Sequence, residues 1–236
     1  MTASAIIVAG GKGIRMGGNI RKQYLEIAGQ PVLCHTLRAF AACKSVEQIF
    51  LAVPQQDRDF CREFIVSGLE FHKKIRILAG GKERQDSVYN GLAAAEKYGG
   101  IIAIHDGVRP FVLPAQIEAT IRCAEQSGAA MLGIPAFDTL KQTDENGIVE
   151  KTLNRERIWL AQTPQTFRCD LICKAHASAR GSGYFGTDDA SLVERLGEKV
   201  RIIEGSRFNI KITTPEDLQF AQAIYPLFQQ MPAFGH

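Results

Sequence analysis

An aliphatic run, Ala5-Ile6-Ile7-Val8, leads directly into the glycine-rich segment Ala9-Gly10-Gly11-Lys12-Gly13-Ile14-Arg15-Met16-Gly17-Gly18, with Lys22 just beyond. Consecutive apolar residues mark a strand buried on both faces, as inside a parallel sheet. A glycine-rich loop leaving such a strand lets backbone N–H groups approach a phosphate closely. Arg15 and Lys22 bring two cations to the same place. The combination points to a site for a triphosphate whose phosphorus is attacked. Two other glycine loops do not fit. No window supplies glycine, four residues and then Gly-Lys-Ser/Thr. The dinucleotide fingerprint begins at Gly11 and Gly13, but Met16 stands where its third glycine belongs. Its acidic residue is also missing, since Leu51-Ala52-Val53 runs into Pro54.

Strand-like stretches at 4–9, 47–53, 75–79, 101–105 and 129–135 alternate with helix-like stretches near 31–42, 56–67, 84–97 and 114–127. Pro114 suits the first turn of a helix, and Gly99-Gly100 suits a helix stop. The alternation predicts an α/β fold: a Rossmann-like, mostly parallel (mixed) sheet with helices on both faces. Ligands of such sheets bind beyond the carboxyl ends of the strands. The first loop lies there, as does His105-Asp106-Gly107-Val108-Arg109-Pro110 after the fourth strand. The pattern then breaks. Segments 137–142 and 147–153 read as two strands around a turn at 143–147. A lone hairpin has too little core to stand alone, so it packs on its own domain or on a second subunit. A helix near 170–178, a glycine-rich loop at 181–186, a helix near 188–196, strands at 199–204 and 209–212 and a helix from Pro215 complete the chain. Its 236 residues fit a single domain spanning 1–236, with 137–155 as a β-arm.

A net charge of +3 implies no polyanionic partner, and the aromatic residues do not interleave with basic ones as single-strand nucleic-acid binders require. Six cysteines form no C-x-x-C pair and no zinc spacing, which favours buried, reduced thiols. The N-terminus carries no positively charged leader, and no stretch approaches a membrane-spanning length. A cytoplasmic protein is expected.

Six segments now stand in order: the opening loop with Arg15-Met16, Lys22-Gln23-Tyr24, Gly80-Gly81-Lys82-Glu83-Arg84-Gln85-Asp86-Ser87-Val88, His105 to Pro110, Thr163-Pro164-Gln165 and Asn209-Ile210-Lys211. The series resembles 2-C-methyl-D-erythritol 4-phosphate cytidylyltransferases of the nonmevalonate isoprenoid pathway. The likeness runs over nearly the whole chain. Ribitol-5-phosphate cytidylyltransferases are also similar. The opening loop alone is weak, being shared by many sugar-nucleotide transferases; the segments at 80–88 and 105–110 are far more restrictive.

The resemblance implies transfer of CMP from CTP to methylerythritol phosphate, with release of pyrophosphate and with Mg²⁺ as cofactor. It implies that Arg15 and Lys22 stabilise the transition state. Ala9, Gly10, Gly11, Gly13, Gly81, Lys82 and Ser87 match the nucleotide pocket, although the Ser87 hydroxyl could instead bond its own helix backbone. Asp106, which closes a strand and precedes a glycine, could hold Mg²⁺ through oxygen, directly or through water, or bind substrate hydroxyls; a turn-forming role is the alternative. Arg109 falls at the substrate end of the pocket. Thr139, Arg155, Thr163 and Lys211 match the sites that hold the acceptor, with Arg155 and Lys211 on its phosphate. The resemblance further implies a homodimer in which the arm carries Thr139 and Arg155 into the partner's site. Arg157, two residues on, is expected to be exposed. His105 reads as a packed strand-end residue and not as a base. One departure stands out: where the family has proline before Lys-Gln-Tyr this chain has Arg21, which is expected to leave that loop looser.

Overall fold

The computed structural model describes residues 2–11, 20–69 and 73–231. In chain order the elements are β1 (Ala3–Val8), β2 (Glu26–Ile27), β3 (Gln30–Pro31), α1 (Val32–Ala42), β4 (Val46–Val53), α2 (Arg58–Phe60), β5 (Lys74–Ala79), α3 (Arg84–Ala95), β6 (Ile101–Asp106), α4 (Pro114–Ser127) and β7 (Ala129–Pro135). They continue with β8 (Lys141–Thr143), β9 (Val149–Thr152), β10 (Trp159–Arg168), α5 (Cys169–Gly181), α6 (Asp189–Arg195), β11 (Arg201–Glu204) and α7 (Pro215–Gln229). The main sheet has seven strands in the order β11-β7-β10-β6-β1-β4-β5. β10 runs antiparallel to both β6 and β7, and the other pairings are parallel. The α/β, mostly parallel and mixed sheet expected from the sequence is the observed one.

Successive side chains of a strand point to opposite faces, so a strand covered on both sides must be apolar throughout. β1 obeys this rule. Ala5 and Ile7 face a core with Leu33, Leu37 and Phe40 of α1 and Ile117 and Ile121 of α4. Ile6 and Val8 face a second core with Val88 and Leu92 of α3, Ile172 of α5 and Leu192 and Val193 of α6. A third cluster joins α7 to Ile27, Val32 and Phe111. These layers fix the carboxyl ends of β1 and β6 side by side, with Val8 opposite Asp106.

Four expectations need correction. Asn209–Ile212 alternates polar and apolar residues but is not a strand. Its bonds go singly to separate partners: Asn209 Nδ2 donates to the Thr163 carbonyl at 2.9 Å and Ile212 N to the Val108 carbonyl at 3.0 Å. Trp159–Arg168, not expected as a strand, is the long central β10. Pro164 interrupts its pattern, and the sheet accommodates it at a register shift between Ala161 and Gln165. The helical stretch after β4 is not one α-helix. A tight turn at Gln55–Asp57, the single α turn α2 and a wide-pitched Cys61–Val66 follow one another. The arm is present as an antiparallel pair, β8 with β9, but its strands are shorter than the sequence pattern. All six cysteines are unpaired, and burial pushes the Cys34 thiol up to about 11 and that of Cys43 up to about 12.

Candidate active site

The carboxyl edge of the sheet gathers three loop starts. Ala9 leaves β1 with its N–H on the Ala52 carbonyl at 2.8 Å, Gly80 leaves β5 with its N–H on the Val53 carbonyl at 2.7 Å, and Gly107 leaves β6 with its N–H on the Val8 carbonyl at 2.9 Å. Gly107 sits in tight quarters. A Cβ there would lie 3.0 Å from Ala9 Cβ and 3.2 Å from the Val8 carbonyl oxygen. Gly81 is more constrained still, because a Cβ would overlap Asp86. Gly10 and Gly80 flank the Ser87 hydroxyl, at 3.4 and 3.0 Å from where their Cβ atoms would lie. That hydroxyl accepts from Gly81 N at 3.0 Å and donates to the Glu83 carbonyl at 3.1 Å. The backbone-bonding alternative for Ser87 is therefore the arrangement seen. Lys82 is exposed beside it. Gly11 is exposed, and Lys22 leans over it, its Cε 3.6 Å from where a Gly11 Cβ would lie. Arg15 and Gly13 lie outside the described residues.

Asp106 is the centre of the edge. It is 5% exposed, and three cations share its carboxylate. Arg84 Nε donates to Oδ1 at 2.9 Å; Lys211 Nζ lies 2.8 Å and Arg109 Nε 3.6 Å from Oδ2. Burial alone would raise this carboxyl, but Arg84, Lys211 and Arg109 hold it well below the usual carboxylate range. Arg84 also donates through Nη1 to Asp189 Oδ2 at 2.7 Å, and His176 Nε2 donates to Asp189 Oδ1 at 3.0 Å. Burial works against the Arg84 charge, and its two carboxylate partners more than offset that. Three cations thus face two carboxylates. The excess is positive, at the edge where the glycine-rich segment after β1 begins.

The acid–base candidates of this edge are committed inward. His105 Nε2 meets the Arg109 carbonyl at 3.1 Å, an atom that only accepts, so Nε2 carries the proton. Nδ1 then accepts from the Thr163 hydroxyl at 2.9 Å, whose oxygen in turn accepts from Asp106 N at 3.1 Å. Burial pushes His105 down to about 4, so it is neutral at pH 7. Thr163, expected on the acceptor, has its hydroxyl tied to β6 and fixes the position of Asp106. Arg109 Nη1 donates to the Asn209 carbonyl at 2.6 Å, which joins β6 to the segment carrying Lys211.

Thr139 and Arg155 are exposed on the arm, and Arg155 Nη1 donates to the Phe137 carbonyl. Neither belongs to the hydrogen-bonded network around Asp106. Arg157 is exposed, as expected. Arg21 is paired: its Nε lies 2.9 Å from Asp57 Oδ2. Three network members escaped the sequence reading. Arg84 stood inside a quoted motif without a role. Asp189 looked like part of a helix start, and His176 like one residue of a helix. Gln165 carried a further hidden duty: its Oε1 accepts from Asp189 N at 2.9 Å and Ala190 N at 3.0 Å, seating α6 beneath Arg84.

A direct Mg²⁺ site on Asp106 does not fit these contacts. Both carboxylate oxygens are taken by cations, and among the described residues no group of three or more His, Cys, Asp or Glu side chains is placed to hold a metal ion.

A mixed α/β sheet with a glycine loop after its first strand and converging cations at its carboxyl edge defines a nucleotidyltransferase, an enzyme that works on phosphates. The family model described as 2-C-methyl-D-erythritol 4-phosphate cytidylyltransferase matches residues 3–226. The chain belongs to that family. It is 48% identical to the 2-C-methyl-D-erythritol 4-phosphate cytidylyltransferase of Pelotomaculum thermopropionicum over 94% of this chain and 93% of the relative. It is 48% identical to the protein of the same name from Geotalea uraniireducens, over 94% of this chain and 96% of that one. Among solved structures, 4-diphosphocytidyl-2C-methyl-D-erythritol synthase from Anaerococcus prevotii matches with a TM-score of 0.86 at 32% identity, covering 95% of this chain and 96% of that one. The 2-C-methyl-D-erythritol 4-phosphate cytidylyltransferase from Thermus thermophilus matches with a TM-score of 0.77 at 34% identity, covering 96% of this chain and all of that one, 100%.

Proposed function

We propose that this chain transfers CMP from CTP to 2-C-methyl-D-erythritol 4-phosphate and releases pyrophosphate, a step of isoprenoid precursor synthesis. The observation that carries the reading is the cation-rich network around Asp106, set beside the loop that leaves β1. Family membership favours methylerythritol phosphate over ribitol phosphate as the acceptor. The nucleophile is a phosphate monoester oxygen, whose second pKa of about 6 leaves it largely dianionic at neutral pH. It needs no general base, in keeping with a neutral, doubly bonded His105. The acceptor oxygen forms a bond to the α-phosphorus of CTP, and the bond from that phosphorus to the β-phosphate oxygen breaks. The protein's task is to hold two anions together and to offset charge that grows on the α-phosphate. In this reading Lys22 and Arg15 do the second. Lys211, Arg155 and Thr139 hold the acceptor, with Arg109 behind Lys211. Ala9, Gly10, Gly11, Gly13, Gly81, Lys82 and Ser87 form the nucleotide pocket.

Thr139 and Arg155 act in this scheme on the active site of a second copy. Apolar side chains on and beside the arm support a homodimer: Phe137, Ile148, Val149, Trp159, Leu160 and Ile202 are exposed, with Ile148 at 67%. A divalent cation such as Mg²⁺ held by the triphosphate would offset part of its charge, and Asp106, with both oxygens on cations, would not be a direct ligand. Unpaired thiols support a reducing, cytoplasmic setting. No described helix is long and apolar enough to cross a membrane.

Pyrophosphate release with CTP, Mg²⁺ and either acceptor tests the reading. We expect kcat/KM for methylerythritol phosphate to exceed that for ribitol 5-phosphate by about a hundred-fold or more. Preference for ribitol 5-phosphate, or turnover of neither, overturns it.

A further inference from the structure

We infer that the Arg21–Asp57 ion pair is a latch that positions Lys22 for phosphoryl transfer; the inference rests on the catalytic reading of Lys22 given above. Residues 22–24 form one tight turn, closed by Tyr24 N on the Arg21 carbonyl at 2.9 Å. Both neighbours of Lys22 are anchored. On one side Gln23, 1% exposed, donates from Nε2 to the Ala9 carbonyl at 2.8 Å, which ties the turn to the end of β1. On the other side Arg21 Nε meets Asp57 Oδ2 at 2.9 Å, with side-chain exposures of 25% and 15%. Tyr24 OH donates to the same carboxylate oxygen at 3.0 Å, and its ring packs edge-on against Phe60 at 4.9 Å. Asp57 is itself held, its N–H on the Pro54 carbonyl at 2.9 Å directly after β4. The turn that carries Lys22 is therefore stretched between the carboxyl ends of β1 and β4.

Arg21 has φ −68° and ψ 141°, an extended conformation that its side chain alone does not enforce. The ion pair supplies the restraint. With its Nε on Asp57, Arg21 acts in this proposal by holding the turn and not by binding the triphosphate. That distinction gives the latch a kinetic signature. A misplaced Lys22 costs transition-state stabilisation, whereas a lost triphosphate contact weakens ground-state binding as well.

The test compares Arg21→Ala, Asp57→Asn, Lys22→Ala and the charge-reversed pair Arg21→Asp/Asp57→Arg in the intact enzyme. Steady-state kinetics with CTP and methylerythritol phosphate are combined with thermal unfolding. Arg21→Ala and Asp57→Asn are each expected to lower kcat roughly five- to ten-fold, with the CTP KM within about two-fold of the parent. The reversed pair should regain most of the lost kcat, and unfolding midpoints should stay within about 2 °C. Parent-like kcat in both single variants, an equal rise in CTP KM, or no recovery in the reversed pair overturns the latch. If in any of those cases Lys22→Ala still abolishes turnover, the role of Lys22 stands and only the latch falls. A Lys22→Ala enzyme with parent-like kcat removes both.

Discussion

Neither ring nitrogen of His105 is free, and burial holds the ring neutral down to about pH 4. An unfolded histidine takes up its proton near 6.5. Stability linked to His105 is thus fully present above pH 6.5, is lost as the pH falls from 6.5 towards 4, and changes no further below that. Between pH 7 and 5 the loss should reach about 2 kcal/mol. Denaturant unfolding at both pH values checks this. His105→Gln should shrink the pH-dependent loss, and an unchanged loss would assign it to other groups. Asp106 behaves differently, because its cations keep it ionised throughout that window. Legibility at this scale followed chain distance. Asp106 and Arg109 share one motif, and Lys211 was carried by a second. The Arg84–Asp189 bond spans 105 residues, and nothing local in either segment announces the other. The partner of Arg21 was hidden as well, since Asp57 belongs to a turn that the sequence pattern had absorbed into a helix.

Elements deliver these side chains to the edge, and α7 shows the coupling. Thr214 Oγ1 accepts from Asp217 N at 3.3 Å, while Asp217 Oδ2 accepts from Thr214 N at 2.9 Å and from Thr213 N at 2.8 Å. This reciprocal cap, on Thr214 three residues after Lys211, starts α7. Ile212 in between is fully buried with Ala221 of α7. Thr214→Ala should cost about 1 kcal/mol of stability, read by denaturant unfolding at pH 7. A variant as stable as the parent would show that the cap contributes nothing. The cap was readable from Thr214-Pro215 and Asp217, and the parallel strands were readable from their apolar runs. β10 was not: a proline and three polar residues, Gln162, Thr163 and Gln165, break its pattern. Those same polar residues make the contacts to Ser206, His105 and the start of α6. The strand was obscured by the residues that serve the site.

In the whole molecule, the mostly parallel sheet brings the end of β1, a cation network and the start of the arm after β7 to one edge. If the arm completes a partner's site, activity must be shareable between defective subunits. Lys22→Ala and Arg155→Ala subunits, unfolded and refolded together, should regain up to about a quarter of parental activity, since only mixed dimers hold one intact site. Activity no higher than that of the separate variants would confine Arg155 to its own chain. The sequence made the arm visible but left open what it packs on, because an exposed hairpin carries no record of its cover. The central claim is that the acceptor phosphate displaces pyrophosphate directly. The hydroxyl of Thr163, the ring of His105 and the carboxylate of Asp106 are all committed to other bonds, which leaves them unsuited to form a covalent intermediate. The stereochemical course at phosphorus reads this out. With a single diastereomer of CTP bearing one sulfur on its α-phosphorus, one in-line displacement predicts inversion at that phosphorus in the product; retention would contradict it.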